Sequence, residues 1–187
     1  MAHLRNTEQS YGIIAQAFHW LVALLVLAQI GIGVYAANQP VSLARLQWVS
    51  RHKSLGIAIL ALVLLRLAWR AMNPPPELPG SMAHWERRAA LAAHRILYVL
   101  LVLVPLAGWL YASAAGLSVN WFGLFQMPDL APKDAGLAEL FRAIHQGMAL
   151  LLALVAALHI GAALQHGFWR RDGVMHRMLP WKPRRQG

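Results

Sequence analysis

Four histidines have the types and spacing to hold two metal centres. His145 and His159 lie 14 residues apart in the run IHQGMALLLALVAALHIG, which is apolar except near its ends. On an α-helix 14 residues advance about 21 Å and turn nearly four times, so the two imidazoles leave one face within roughly 40° of each other. Across a hydrocarbon layer of about 30 Å, each would sit roughly 4 to 5 Å inside its own boundary. A lone histidine in such a place can be a polar residue bonded to a neighbouring helix. Here a second pair needs explaining as well, because His19 opens one apolar run (FHW) and His52 opens another (RHK).

The elements that carry these residues are four apolar segments, about 13–36, 54–72, 91–115 and 143–168. Each reaches the roughly 20 residues an α-helix needs to cross a bilayer, and their unbroken apolarity excludes the alternation of a β-barrel. The 187 residues are 58% hydrophobic and 13% charged, with a mean hydropathy of +0.46, above the range of soluble domains. The connections are short, so residues 1–187 read as one domain, an all-α four-helix transmembrane bundle. The first segment ends in small residues like a cleavage site, but its length, its histidine and the three spans that follow make it a retained helix. The absence of cysteine rules out disulfides, thiolate metal sites and the CxxCH attachment of c-type haem.

A net charge of +10 could point to nucleic acid, but its distribution points to topology. With the N-terminus inside, 12 of the 17 basic residues fall on the inner side and 5 on the outer. That is the positive-inside bias, which puts both termini in the cytoplasm and leaves nucleic acid out of account. The tail WRRDGVMHRMLPWKPRRQG is expected on anionic lipid headgroups. MNPPPELPG is an extended inner linker, and Pro105 with Gly108 predicts a kink in the third helix. The longest loop, residues 116–140, carries Trp121, Phe122, Phe125 and Met127, the aromatic belt of an interfacial segment rather than a lid over a ligand.

Because successive helices run in opposite directions, His52 and His145 share the outer level. His19 and His159 share the inner one. On the outer side there is no other histidine; on the inner side His94 competes with His19, while His84 and His176 lie in hydrophilic stretches. His166 stands about 32 Å from His145 along a helix, too far for the hydrocarbon layer. Two histidines facing each other across a bundle suit the two axial positions of a haem, and two such haems make an electron path across the membrane. Zinc would want more ligands, with acids or thiols among them. Counting 14 residues from His19 reaches Gly33, which would let a macrocycle approach the backbone at the outer level. The same count from His52 reaches Arg66, suited to a haem propionate or, equally, to snorkelling toward headgroups. All seven acidic residues lie outside the apolar spans, which argues against a proton-coupled transporter.

In order along the chain, FHWLVALLVLAQIGIG, HKSLGIAILALVLLRLAWR with NPPPELP, AAHRILYVLLVLVPLAGWLY, VNWFGLF, the two-histidine helix and HGFWRRDGVMHRMLP resemble the bacterial cytochrome b561 family. These are small four-helix, di-haem membrane cytochromes. The resemblance implies two b haems in a multi-pass protein of the bacterial inner membrane, ligated by His19 with His159 and by His52 with His145. It also makes His94 a residue beside the haem rather than a ligand. For activity it implies an oxidoreductase that takes electrons from superoxide outside and reduces ubiquinone, with Arg51, Lys53 and Arg142 placed to attract the anion. The alternative is a cytochrome b subunit that relays electrons between quinone and a dehydrogenase or hydrogenase-like partner protein.

Overall fold

The computed structural model describes residues 3–8, 10–78 and 82–179. Four helices account for most of them: α1 (Ile13–Ala37), α2 (Leu43–Met72), α3 (His84–Ala114) and α4 (Ala135–Leu164). All four are long and apolar enough to cross a membrane. An even number of crossings brings the described chain ends together at one end of the bundle, the terminal end; the α1–α2 and α3–α4 connections form the other, the hairpin end.

The helices reach beyond the apolar spans where local chemistry lets them leave lipid. Ser42 caps α2 by accepting from the Arg45 N–H, and Asp134 caps α4 by accepting from the Leu137 N–H at 2.8 Å. The first turns of α4 then carry the Glu139–Arg142 pair, three residues apart, which suits a helix emerging into the headgroups. The long loop is therefore shorter than its composition suggests, ending at Asp134 instead of Leu140. α3 runs without interruption through Pro105.

α1 lies along α2, α2 meets α3, and α3 lies along α4, whereas α4 makes few close backbone approaches to α1 or α2. Side chains close the middle of that separation. Val22, Val26, Ile59, Val63, Leu100, Val104 and Leu152 form the buried core. Leu152 lies midway between His145 and His159, so this core is a layer between the two histidine levels. Lipid is as apolar as these side chains, so the layer holds by close packing rather than by exclusion of water.

At the hairpin end, the connection between α3 and α4 is tied onto the helix tips. It contains a small antiparallel ribbon, β1 (Asn120–Trp121) with β2 (Phe125–Gln126). Ser54, nearly inaccessible on α2, donates to the Asn120 carbonyl at 3.1 Å and accepts from the Phe122 N–H at 3.0 Å. That second bond helps hold Phe122 in the left-handed region (φ 49°), which is unfavourable for a residue with a side chain. Lys53 donates to the Leu117 and Ser118 carbonyls. Ser113 accepts from the Leu130 N–H, and Trp109 donates to the Pro128 carbonyl. Phe122, Leu124 and Phe125 face outward, as an interfacial aromatic belt requires.

At the terminal end, α4 runs on into a π-helical stretch, α5 (Gln165–Arg170), which stops where Arg171 turns left-handed (φ 52°). Asp172 then bonds His166 and accepts from the Val174 N–H. Burial acts to raise the Asp172 carboxyl, but these bonds outweigh it and hold the group below the usual carboxylate range. Arg170 pairs with Glu86. A 3₁₀ turn, α6 (Met175–Arg177), brings the chain back beneath α1, where Gln16 donates to the Arg177 carbonyl and Trp20 to the Met178 carbonyl at 2.8 Å. The described part of the tail is thus bonded to the bundle, which corrects the expectation that it simply lies on headgroups. Lys182, Arg184 and Arg185 lie outside the described residues.

Ser54→Ala removes two hydrogen bonds and leaves a part-buried N–H unpaired, a loss of about 1–3 kcal/mol. We expect faster amide hydrogen exchange across residues 119–126 and a lower melting temperature in detergent, with helix content unchanged by circular dichroism.

Candidate functional site

The histidines gather at two levels of the bundle. At the hairpin end, His52 of α2 and His145 of α4 face each other with ring centroids 6.1 Å apart and planes at 86°. At the terminal end, His19 of α1 and His159 of α4 are 6.3 Å apart with planes at 73°. His94 of α3 is nearer still to His159, at 5.1 Å. Both cross-bundle pairs reach over the separation between α4 and the α1–α2 pair.

Centroid distance can be compared with what two imidazoles on one ion would need. A metal–imidazole bond of about 2.0 Å plus about 1.1 Å from nitrogen to ring centre gives about 6.2 Å for two imidazoles on opposite sides of one ion. The separations of 6.1 and 6.3 Å fit that arrangement, while 5.1 Å is too short for it. The donor set also fits a macrocycle better than a bare ion. Among the described residues no cluster of three or more histidines and acids could hold a metal ion by itself, so the remaining coordination would have to come from the cofactor.

Each level holds its rings differently. At the hairpin end the backbone does it. The Val104 carbonyl accepts from His145 Nδ1 at 2.9 Å, which leaves Nε2 as the free ligand nitrogen. Gly108 lies against the same ring: a Cβ there would be 3.0 Å from both Cε1 and Nδ1. Gly33 receives the other ring, since a Cβ at that position would lie 2.9 Å from His52 Cε1. Gly33, expected to let a macrocycle approach the backbone, lies against the ligand-face ring of His52. Gln29 donates to the His52 backbone carbonyl at 2.8 Å. His52 Nδ1 and Gln29 Oε1 are buried without a partner.

Side chains do the holding at the terminal end. Arg66 Nη2 reaches His19 Nδ1 at 3.0 Å, and its Nε donates to the Tyr98 hydroxyl at 3.2 Å. Arg66 and Arg70, one turn apart on α2, both lie 5.5 Å from the centre of the Tyr98 ring. Neither is in an ion pair among the described residues. Burial pushes the Tyr11 phenol up, more than nearby Arg70 lowers it, so that group stays neutral beside the arginines. Two guanidinium groups without carboxylates, in a span where a charge is costly, make a receptor for anionic groups such as propionates. Spacing from His52 singled out Arg66 but gave no sign of Arg70, Tyr98 or Tyr11, which only the packing of α2 against α3 and the chain start brings together.

The basic residues at the hairpin end are less free than their number suggests. Arg142 is paired with Glu139, Lys53 is bonded to two carbonyls, and Arg51 lies 4.7 Å over the Trp48 ring. Of the three, Arg51 and Lys53 keep their charge unpaired with any acid among the described residues. His166, held by Asp172, is engaged elsewhere.

Comparison with known proteins gives the same answer along almost the whole chain. The family model for prokaryotic cytochrome b561 matches residues 10–181. Cytochrome b561 homolog 2 of Escherichia coli is 32% identical over 179 residues, 93% of each chain. The protein of Yersinia pestis named "probable superoxide oxidase CybB" is 30% identical over 181 residues, 94% of this chain and 98% of its own. Cytochrome b561 homolog 1 of E. coli is 28% identical over 129 residues, 69% of this chain and 73% of its own. Four apolar crossings, imidazoles facing across the bundle and this match converge: the chain belongs to the prokaryotic cytochrome b561 family, haem b electron-transfer proteins that cross the bacterial inner membrane several times.

Proposed function

We propose that the chain is a di-haem b cytochrome that oxidises superoxide at the outer face of the membrane and reduces ubiquinone. The observation that carries the di-haem part is the pair of cross-bundle imidazole separations, 6.1 and 6.3 Å, about 21 Å apart along α4. His52 with His145 and His19 with His159 are the axial pairs, and His94 packs beside His159. Haem held by these histidine pairs would supply one-electron storage at each level. The termini lie in the cytoplasm by the 12 to 5 distribution of basic residues, so the hairpin-end pair is the outer one.

Superoxide follows from the Yersinia relative's name and from the basic residues near the outer pair, and ubiquinone from the family resemblance alone. Two superoxide anions give up two electrons and leave as dioxygen; ubiquinone takes both electrons and two protons to become the quinol. Arg51 and Lys53 raise the local concentration of the anion, with Arg142 contributing less because Glu139 offsets it. At the inner level, a haem held through His19 Nε2 would leave the ring proton on Nδ1, which could then no longer accept from Arg66. Arg66 and Arg70 would be left to hold the propionates. That offset of the outer positive charge is also what keeps the relay reading in play, with a soluble or membrane partner as the electron donor.

His52→Ala and His145→Ala should each lower haem content from about two to about one per chain by pyridine haemochrome assay, with the inner haem spectrum intact. Loss of both haems from either change would refute the two-site assignment. Arg66→Ala should lower the midpoint potential of the inner haem by roughly 50 mV in a redox titration, because removing a nearby cation disfavours the reduced state; an unchanged potential would mean that the side chain serves the headgroups. Anaerobic mixing of the purified protein with superoxide should reduce the haems, and added ubiquinone should reoxidise them. A protein that stays oxidised in superoxide yet is reduced by a co-purifying subunit is a relay module.

A further inference from the structure

We propose that Gly33 and Gly108 are positioning residues for the outer haem, each forming a seat in the helix backbone against which one axial imidazole rests. The proposal rests on the di-haem reading above and goes beyond it by assigning what aims the two outer ligands.

The seats follow one rule of helix geometry. A Cα–Cβ bond tilts toward the helix N-terminus, so a side chain at position i+4 overhangs the carbonyl of residue i. A glycine at i+4 uncovers that carbonyl and the surface around it. On α3 the uncovered carbonyl is that of Val104, four residues before Gly108, and it accepts from His145 Nδ1 at 2.9 Å. The glycine and the carbonyl act together. One admits the ring edge, with an added Cβ only 3.0 Å from Cε1 and Nδ1, and the other fixes the tautomer that leaves Nε2 free.

α1 offers the partner ring a seat of the same kind, without the carbonyl bond. Gly33 lies four residues after Gln29, and an added Cβ would be 2.9 Å from His52 Cε1 and 3.3 Å from Nδ1. Gln29 holds the backbone of the same histidine through its carbonyl at 2.8 Å. One turn of α1 thus grips His52 at both ring and main chain. Since His52 Nδ1 has no hydrogen-bond partner, the ring's orientation depends on this packing.

The seats are specific to this level. Among the described glycines, none lies against His19, His94 or His159, and Gly31, Gly147 and Gly161 face open space although they are close in sequence to Gly33, His145 and His159. Ligand constellations tolerate displacement of only about 0.5 Å or 10–20°. A Cβ at either seat requires a shift of several tenths of an ångström in a part-buried ring, which takes up that tolerance.

The test uses the purified full-length holoprotein in detergent, oxidised, with low-temperature electron paramagnetic resonance reading each low-spin ferric haem separately. Gly33→Ala and Gly108→Ala should each shift or abolish the same signal that His52→Ala abolishes, and leave the other haem's signal unmoved. That surviving signal shows in the same sample that the bundle has folded. Gly31→Ala and Gly147→Ala should overlay the wild type. The proposal is overturned if both seat variants retain both wild-type signals, if the controls shift as much as they do, or if the seat variants lose both haems. Should wild type carry fewer than two haems, or His52→Ala keep both signals, the di-haem reading itself fails and the seats fail with it. If those two proteins behave as expected and the seat variants match wild type, the seats alone are wrong.

Discussion

An imidazole carried into hydrocarbon needs a partner on the far side of a bundle, and the fold of this chain is arranged around meeting that need twice. α4 contributes a histidine at each level, and α1 and α2 contribute one apiece from opposite ends. Because α1 and α2 run antiparallel, a histidine near the start of each falls at a different depth without any change of helix type. Both pairs of rings therefore depend on the register of three helices. Any sliding of α4 by one turn, about 5.4 Å, would break both pairs at once.

Between the two levels the chain has a dense apolar layer, with Val63 and Val22 at its most buried. Close packing there sets the depth at which each pair of rings sits, because α4 stands apart from α1 and α2 elsewhere and meets them through side chains only. Val104 links this layer to the hairpin-end site: its side chain belongs to the layer and its carbonyl holds His145. The two levels then differ in chemistry. Rigid backbone surrounds one pair, while arginines and a tyrosine surround the other. A cation beside a redox centre favours its reduced form, so this difference gives the family's electron-transfer function an internal asymmetry.

Several residues were legible by type and spacing but not by role. Gly33 was placed at the level of His52 by counting 14 residues from His19, but its contact with the His52 ring could not be read from that count. Arg142 reads as a free cation until Glu139, three residues back on the same helix turn, is found bonded to it. His94 and His19 cannot be ranked by depth, since both fall at the terminal level; their distances to His159, 5.1 and 6.3 Å, come only from the packing. Arg70 and Tyr11 gave no signal, because a guanidinium near a helix end and a tyrosine before a helix start are ordinary features of membrane proteins.

Sequence by itself determined the class of the protein. Four runs of apolar residues long enough to span hydrocarbon leave a helical bundle as the available solution, since lipid offers backbone groups no partners. The spacing of 14 along α4 likewise put two histidines on one face, a consequence of helix pitch alone. Tertiary structure decided which side chains meet across helices: His145 with the Val104 carbonyl, Arg66 with His19 and Tyr98, Ser54 with the loop ribbon. Those contacts depend on the rotation of each helix about its axis and on the packing of its neighbours. Periodicity within one helix carries no information about either.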